Sequence, residues 1–373
     1  MRFVSRCLRT GFLAGLVILA GCAAPGVRAP ERRPEDIRAE IVHLMPGGAR
    51  DREGWAGDIT SAFDALHIDA STSNLCAALA VIGQESNFVA DPAVPNLGRV
   101  ARAEIDRRAE QHHVPQFVVA AALSVHSSTG KSYSDRIATV RTERELSLVY
   151  EDLIARVPLG RQLFADANPV HTGGPMQVSV TFAEAYAGEH TYPYPVDTSI
   201  RREVFSRRGG VYFGVAHLLG YSTDYDRMIY RFADYNAGFY ASRNAAFQSA
   251  LAIASGRTLA LDGDLIAYDD DKPGATELAV RSLSRELSVT DPEIRRALDN
   301  GESADFEQTD IYQRVFTRAQ KIAHRKLSRA MLPEIALKSP KITRKLTTAW
   351  FANRVDQRYG ECLARGGVAS SAR

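Results

Sequence analysis

The sequence predicts a mainly α-helical protein, and three observations carry that expectation. Apolar residues recur at helical spacing in one segment after another, while strand-like alternation is scarce. The chain's 373 residues, 45% hydrophobic and 24% charged, leave ample material for a core. The same composition excludes a disordered tail, a collagen-like repeat and a multi-span membrane protein. Formal charge is only +2, from 46 Lys and Arg against 44 Asp and Glu, so no basic excess argues for nucleic acid. No cysteine cluster has zinc spacing and no Gly-rich phosphate loop occurs, so neither metal nor cofactor is expected.

The chain opens with an address. Arg2, Arg6 and Arg9 precede an apolar run from Phe12 to Ala20, followed by Leu19-Ala20-Gly21-Cys22. A basic start, a short apolar stretch and small residues before a cut site make a secretory signal over 1–21, too short to span a bilayer. The tetrapeptide ending at Cys22 resembles the lipobox of bacterial lipoproteins, which implies acylation of the Cys22 thiol. Ala23 follows where Asp would suggest inner-membrane retention, so the resemblance implies the periplasmic face of the outer membrane. Removing Met1 to Gly21 takes away three Arg and no acid, leaving 43 basic against 44 acidic residues. Of the cysteines that remain, Cys76 and Cys362 are either a disulfide pair, if Cys22 is lipidated, or two buried free thiols.

Residues 22–36 read as a tether, rich in Pro and Arg and without periodicity. The body is expected over 37–363, with a flexible tail at 364–373. Within it Leu75, Leu79 and Ile82 recur at i, i+4 and i+7, and Pro115 opens the apolar stretch Phe117 to Val125. Further helical segments are predicted at Glu143–Val157, Val180–Ala187, Val211–Leu219, Arg227–Ala233, Ala245–Ala254, Glu277–Leu287, Ile311–Leu332 and Ile342–Ala364. Asp262 to Pro273 is an acidic loop whose spacing misses the EF-hand pattern and lacks its terminal Glu.

Three short segments carry candidate chemistry. Glu85 ends an apolar helical stripe just ahead of Pro92 and Pro95. A carboxylate so placed is poorly solvated, and desolvation disfavours its anion, which suits a general acid. His171-Thr172-Gly173-Gly174-Pro175-Met176-Gln177 is a tight turn that lets backbone approach a ligand. Asp234-Tyr235-Asn236-Ala237-Gly238 brings a phenol and an amide to a helix-stopping glycine. Singly, each reads equally well as a helix end, a loop and a cap.

In order, these segments resemble the soluble-type lytic transglycosylases, lysozyme-like enzymes that cut peptidoglycan. That family shows Glu-Ser-x-Phe, Gly-Leu-Met-Gln and Ala-Tyr-Asn-Ala-Gly. This chain has Glu85-Ser86-Asn87-Phe88, Gly174-Pro175-Met176-Gln177 and Asp234-Tyr235-Asn236-Ala237-Gly238. Val180-Thr181-Phe182-Ala183, the helix around Tyr212 and the echo Gln308-Thr309-Asp310-Ile311-Tyr312 also resemble the family's text. Pro175, Asp234 and Gln308 depart from it, and about 85 residues separate Phe88 from Gly174 where the family has a couple of dozen. Residues 97–170 therefore look like an inserted helical subdomain.

The resemblance implies a lysozyme-like core in which Glu85 protonates the bond between N-acetylmuramic acid and N-acetylglucosamine. The same carboxylate then takes the proton of the sugar's 6-hydroxyl, closing a 1,6-anhydro ring without water, metal or nucleotide. Ser86 and Asn236 would orient the sugar, and Tyr235 would hydrogen-bond near Glu85. Met176 and Gln177 would line the cleft, with Tyr312 in its wall. Expected partners are peptidoglycan glycan strands and, through Cys22, a membrane. Two other readings follow from the departures: Asp234 as a second carboxylate in a hydrolytic reaction, against a surface Asp paired with Arg231, and a non-catalytic glycan-binding lipoprotein with a degenerate core. The histidines His112, His113, His126, His171 and His217 lack a convergent ligand set and read as surface or core residues.

Overall fold

The computed structural model describes residues 32–159, 162, 167–267, 272–337 and 346–368. The signal segment, Cys22 and most of the tether lie outside the described residues. The mainly helical expectation holds: seventeen α-helices accompany a single two-stranded hairpin among the described residues. They are α1 Pro34–Leu44, α2 Arg52–Ala65, α3 Thr72–Glu85, α4 Leu97–Gln111, α5 Gln116–Ser124, α6 Tyr133–Thr139 and α7 Glu143–Ala155. After the hairpin (β1 Thr172–Gly173, β2 Val178–Ser179) come α8 Val180–Glu189, α9 Ile200–Val204, α10 Arg207–Leu219, α11 Met228–Ala237 and α12 Ala241–Ser255. The last are α13 Ala275–Arg281, α14 Ser284–Leu287, α15 Asp291–Asp299, α16 Asp310–Ala323 and α17 Thr348–Arg365.

Several boundaries differ from the sequence reading. The tether stops sooner, because Pro34 opens α1 with Glu35 and Asp36 in the first turn, where acids favour the helix dipole. The segment read as one helix from Glu277 to Leu287 is two short helices, α13 and α14. The helix beginning at Ile311 ends well before Leu332, since His324 turns into the left-handed region at φ 52°. The last helix starts at Thr348, capped by the Thr347 hydroxyl, and runs through Arg365 into residues expected to be a flexible tail. Gly366 and Val368 then bond back to Cys362 and Leu363.

Three apolar clusters organise the body. The main one gathers α2, α3, α10, α11 and α17 around Trp55, Phe63, Ile82, Phe213 and Phe232. A second joins α12 to α16 through Phe247, Phe306, Tyr312 and Phe316. The third is small and belongs to the 97–170 segment, where α4 to α7 bury Leu97, Leu123, Tyr133 and Ile137, with Val170 and Phe205 closing it. Helix α3 lies against α17, and Cys76 and Cys362 are bonded to each other across that contact with Cα atoms 5.5 Å apart. The pair closes a loop of 286 residues. In the chain-entropy view, constraining a loop of that length removes unfolded-state freedom equivalent to about 5 kcal/mol. The helix that carries Glu85 is thereby fixed to the end of the chain.

Candidate active site

Helix α3 starts at Ser71, whose hydroxyl accepts from the Asn74 N–H, and every residue from Leu75 to Gly83 is buried. Glu85 is its last residue and is half-buried. Ser86 ends the helix: its N–H and its hydroxyl both donate to the Ile82 carbonyl, at 3.0 and 3.1 Å. That hydroxyl points into the fold rather than toward a sugar. Asn87 and Phe88 are both left-handed, at φ 49° and 60°, an uncommon state for a bulky residue. Phe88 tolerates it because its ring packs edge-on against Trp55 at 5.7 Å.

The second motif is the hairpin turn. Gly174 has φ 71°, and a Cβ there would fall 2.0 Å from the Val204 carbonyl oxygen, so no side chain fits. Met176 is fully buried, its sulfur pressed on Gly214, where a Cβ would sit 2.3 Å from Sδ. Gln177 is half-buried and left-handed at φ 53°. Its Nε2 donates to Glu143 Oε2 at 2.9 Å. Glu143 is the first residue of α7 and is only 6% exposed, so the 97–170 segment delivers a buried carboxylate to this motif. Helix α7 is anchored beside Glu85's own loop as well, since the Thr142 hydroxyl donates to Asp91 at 3.0 Å and Val94 N–H donates to the Arg141 carbonyl at 2.8 Å.

The third motif joins the first two. The Tyr235 hydroxyl donates to the Met176 carbonyl at 2.7 Å. Burial, and then the charge of Glu85, hold that phenol well above its ordinary pKa. Tyr235 thus touches the second motif and lies within electrostatic reach of the first. Behind it stands His217, its ring centroid 4.9 Å from Tyr235, 4.7 Å from Phe239 and 4.8 Å from Phe182. Burial pushes the His217 imidazole down to about 4, so it is neutral at physiological pH. Asn236 is exposed, and its Oδ1 accepts from the Thr348 hydroxyl at 2.9 Å, tying α11 to the start of α17.

Asp234 departs from both roles read for it. It is 1% exposed, and its Oδ2 accepts from the Tyr225 and Tyr221 hydroxyls at 2.7 and 3.0 Å. Its Oδ1 accepts from Ser242 N–H at 2.6 Å, in the uncapped first turn of α12. Desolvation raises its pKa against the pull of those donors. It is a buried brace between α11 and α12, neither a second reacting carboxylate nor a partner of Arg231, which donates to the Leu218 and Tyr221 carbonyls.

Tyr312 also falls elsewhere than expected. It is 1% exposed in the second cluster, between Phe306 and Phe316, with the Arg329 guanidinium 5.2 Å over its ring. The apolar periodicity of α16 buries it there, in the second cluster rather than at a surface a sugar could reach. Among the other histidines, His112, His113, His126 and His171 are exposed. A cavity of about 400 Å³ opens along the loop after Glu85, lined among others by Pro95, Asn96, Gly98, Arg99 and Arg141 and not by Glu85 itself. No group of three His, Cys, Asp or Glu among the described residues is placed to hold a metal ion.

Two residues of this site were not legible in the sequence. Glu143 reads there only as the start of a well-capped helix, and nothing in the spacing links it to Gln177. His217 reads as one surface or core histidine among several, and its aromatic enclosure comes from the start of α8, the end of α11 and the loop that follows α11.

A family described as protein of unknown function (DUF1615) matches residues 48–365. That span includes the whole 97–170 segment, so the segment is part of that family's own domain. A protein of Escherichia coli (strain K12), described as uncharacterized protein YaiW, is 51% identical over 355 residues, covering 94% of this chain and 96% of its own. No solved structure matches.

Proposed function

The chain belongs to the DUF1615 family, and for it we propose a peptidoglycan lytic transglycosylase with a lysozyme-like core, anchored by lipid on Cys22 to the periplasmic face of the outer membrane. The observation that carries this reading is the convergence on Tyr235. One phenol bonds the Met176 carbonyl at 2.7 Å and feels the charge of Glu85, so motifs some 90 and 60 residues apart meet in the order the transglycosylase pattern requires. The disulfide between Cys76 and Cys362 supports an oxidising compartment. No helix among the described residues is long and apolar enough to cross a membrane.

In the proposed reaction Glu85, protonated, gives its proton to the glycosidic oxygen as the bond to C1 of N-acetylmuramic acid breaks. The substrate's acetamido oxygen stabilises the cationic centre. Ionised Glu85 then takes the proton of the 6-hydroxyl, whose oxygen bonds C1 and closes the 1,6-anhydro ring. One carboxyl serves as acid and then base, and no water is consumed. Tyr235 fixes the Met176–Gln177 turn, and Glu143 fixes Gln177.

A second reading has its own support. Met176 is fully buried and the Ser86 hydroxyl is turned inward, so two side chains expected to meet sugar are occupied within the fold. That favours a glycan-binding lipoprotein with a degenerate core. Digestion of purified sacculi with the protein separates the readings by mass spectrometry. Anhydro ends support the transglycosylase, reducing ends a hydrolase, and bound but intact glycan the binder.

A further inference from the structure

The surface beside the candidate site carries a tryptophan that no role above absorbs. Trp350 is 41% exposed, whereas Trp55, the chain's other tryptophan, is 2% exposed in the main cluster. Helix α17 buries Thr348, Phe351, Ala352 and Val355, and it leaves Trp350, Asn353, Arg354 and Gln357 exposed. The backbone under the indole is held firmly. The Thr347 hydroxyl accepts from Trp350 N–H at 3.1 Å, Thr348 N–H donates to the Ile335 carbonyl at 3.0 Å, and the Thr348 hydroxyl donates to Asn236. A rigid aromatic on a fixed helix end loses little freedom when a ligand covers it.

Its place follows from the packing of α17 on α3. Gly366 lies beside Thr72 and Cys362 is bonded to Cys76, so the two helices run antiparallel with matched rise. Arg358 continues the match, its Nε donating to Gln84 Oε1 at 3.2 Å. Carried to the end of α3, that register brings Glu85 level with Asn353 and puts Trp350 about 5 Å beyond, at 1.5 Å per residue. Asn236, next to Tyr235, meets the same helix two residues from Trp350. An indole face packs on the C–H side of a pyranose ring, and amide and guanidinium groups bind its hydroxyl, acetamido and carboxyl substituents. Asn353 Nδ2 donates to the Ala349 carbonyl at 2.7 Å and Arg354 donates to Gln357 at 3.4 Å, which leaves the Asn353 oxygen and most guanidinium N–H groups for a ligand. A lipid layer or an apolar protein partner would call for more apolar groups around the indole, yet its exposed neighbours Thr347, Asn353 and Arg354 are polar.

We propose that Trp350 is a stacking platform that seats one sugar ring of a peptidoglycan strand beside Glu85, with Asn353 and Arg354 meeting that sugar's substituents. This rests on the glycan reading above and not on the cleavage chemistry, since a strand must be held whether or not it is cut. Trp350 takes no part in the proton transfers. Its removal from an active chain should therefore raise KM and leave kcat nearly unchanged.

The test uses the chain from Ala23 onward, which retains the compact unit beginning at Pro34, with Glu85→Gln throughout so that cleavage does not intervene. Retention on purified sacculi is measured alongside tryptophan fluorescence with a soluble tetrasaccharide-peptide prepared from the same sacculi. Trp350→Ala should weaken retention about tenfold, Trp350→Phe should recover part of the loss, and Trp350→Leu should not. The soluble fragment should shield the parent from acrylamide quenching. That shielding should vanish in Trp350→Phe, where only the buried Trp55 emits. Equal retention of Trp350→Ala and its parent overturns the proposal, as does a leucine variant that binds like the parent. A parent that retains no sacculi overturns it too. Absence of anhydro products from the Glu85 chain, with Trp350-dependent binding intact, removes the reaction and upholds the platform.

Discussion

Helices α3 and α5 read alike in the sequence and end differently in the fold. Both are runs of Ala, Val and Leu with little charge, yet α3 buries nine consecutive residues, Leu75 to Gly83, and α5 buries only Val119 and Leu123. The difference lies in what surrounds them. Helix α3 is flanked by α17, fixed to it through Cys76 and Cys362, and closed at its end by Phe88 on Trp55. Helix α5 rests mainly on α4 and α6, within a cluster of eleven buried residues. Apolar composition states that a face will be covered; it does not state whether the cover is the same chain. The buried helix ends in the candidate catalytic carboxyl, where position must be fixed, and the open one sits in the 97–170 segment with its smaller core.

The widest gap between the two is expected in stability. Leu79→Ala removes a side chain only 3% exposed and should cost about 2–5 kcal/mol, whereas Phe117→Ala should change stability by less than about 0.5 kcal/mol. Chemical denaturation of the two variants reads this directly, and comparable losses would mean that α5 is packed after all.

A smaller effect belongs to the wall behind Tyr235. Burial holds His217 at about 4, below its ordinary 6.5, so folding favours its neutral form. The unfolded chain binds the proton more readily between those values, so this contribution is complete above pH 6.5 and is lost as pH falls toward 4. Its size is about 2 kcal/mol, discounting the full shift because the ring is only half-buried. Between pH 7 and pH 4 the melting temperature of the wild type should fall further than that of His217→Phe. Parallel curves would remove His217 from the account.

The smallest effect concerns the contact by which the 97–170 segment reaches the site. Glu143→Ala frees Gln177 and should weaken retention on sacculi about fivefold, measured in a Glu85→Gln background so that cleavage does not intervene. Glu143→Gln restores an oxygen that can accept from Gln177 and should recover most of that loss. If the amide variant were as poor as alanine, the carboxylate charge rather than the hydrogen bond would be what matters.

The helical class was legible because apolar residues at 3.6 spacing leave few other solutions. Where the backbone turns without a local marker, the reading failed. Periodicity continues past His324 to Leu332, but a left-handed residue stops the helix, and no local sequence signal marks it. The candidate site divides in the same way. Glu85, Met176, Gln177 and Tyr235 stand in short motifs and could be named from them. The burial of Met176 and Asp234, the inward turn of Ser86 and the seating of Tyr312 in another cluster depend on packing partners far along the chain. Glu143 could not be found at all from the sequence, because its partner Gln177 lies 34 residues away across a change of helix.

The central claim is that one carboxyl, Glu85, breaks and closes the sugar bond without water. Its most direct test is the product mass from purified sacculi incubated with wild type and with Glu85→Gln. The account predicts 1,6-anhydro-muropeptides from the wild type and a drop of about a hundredfold or more in the variant, with its fold and sacculus binding retained. Equal release of anhydro products by both proteins, or none by either, would contradict it.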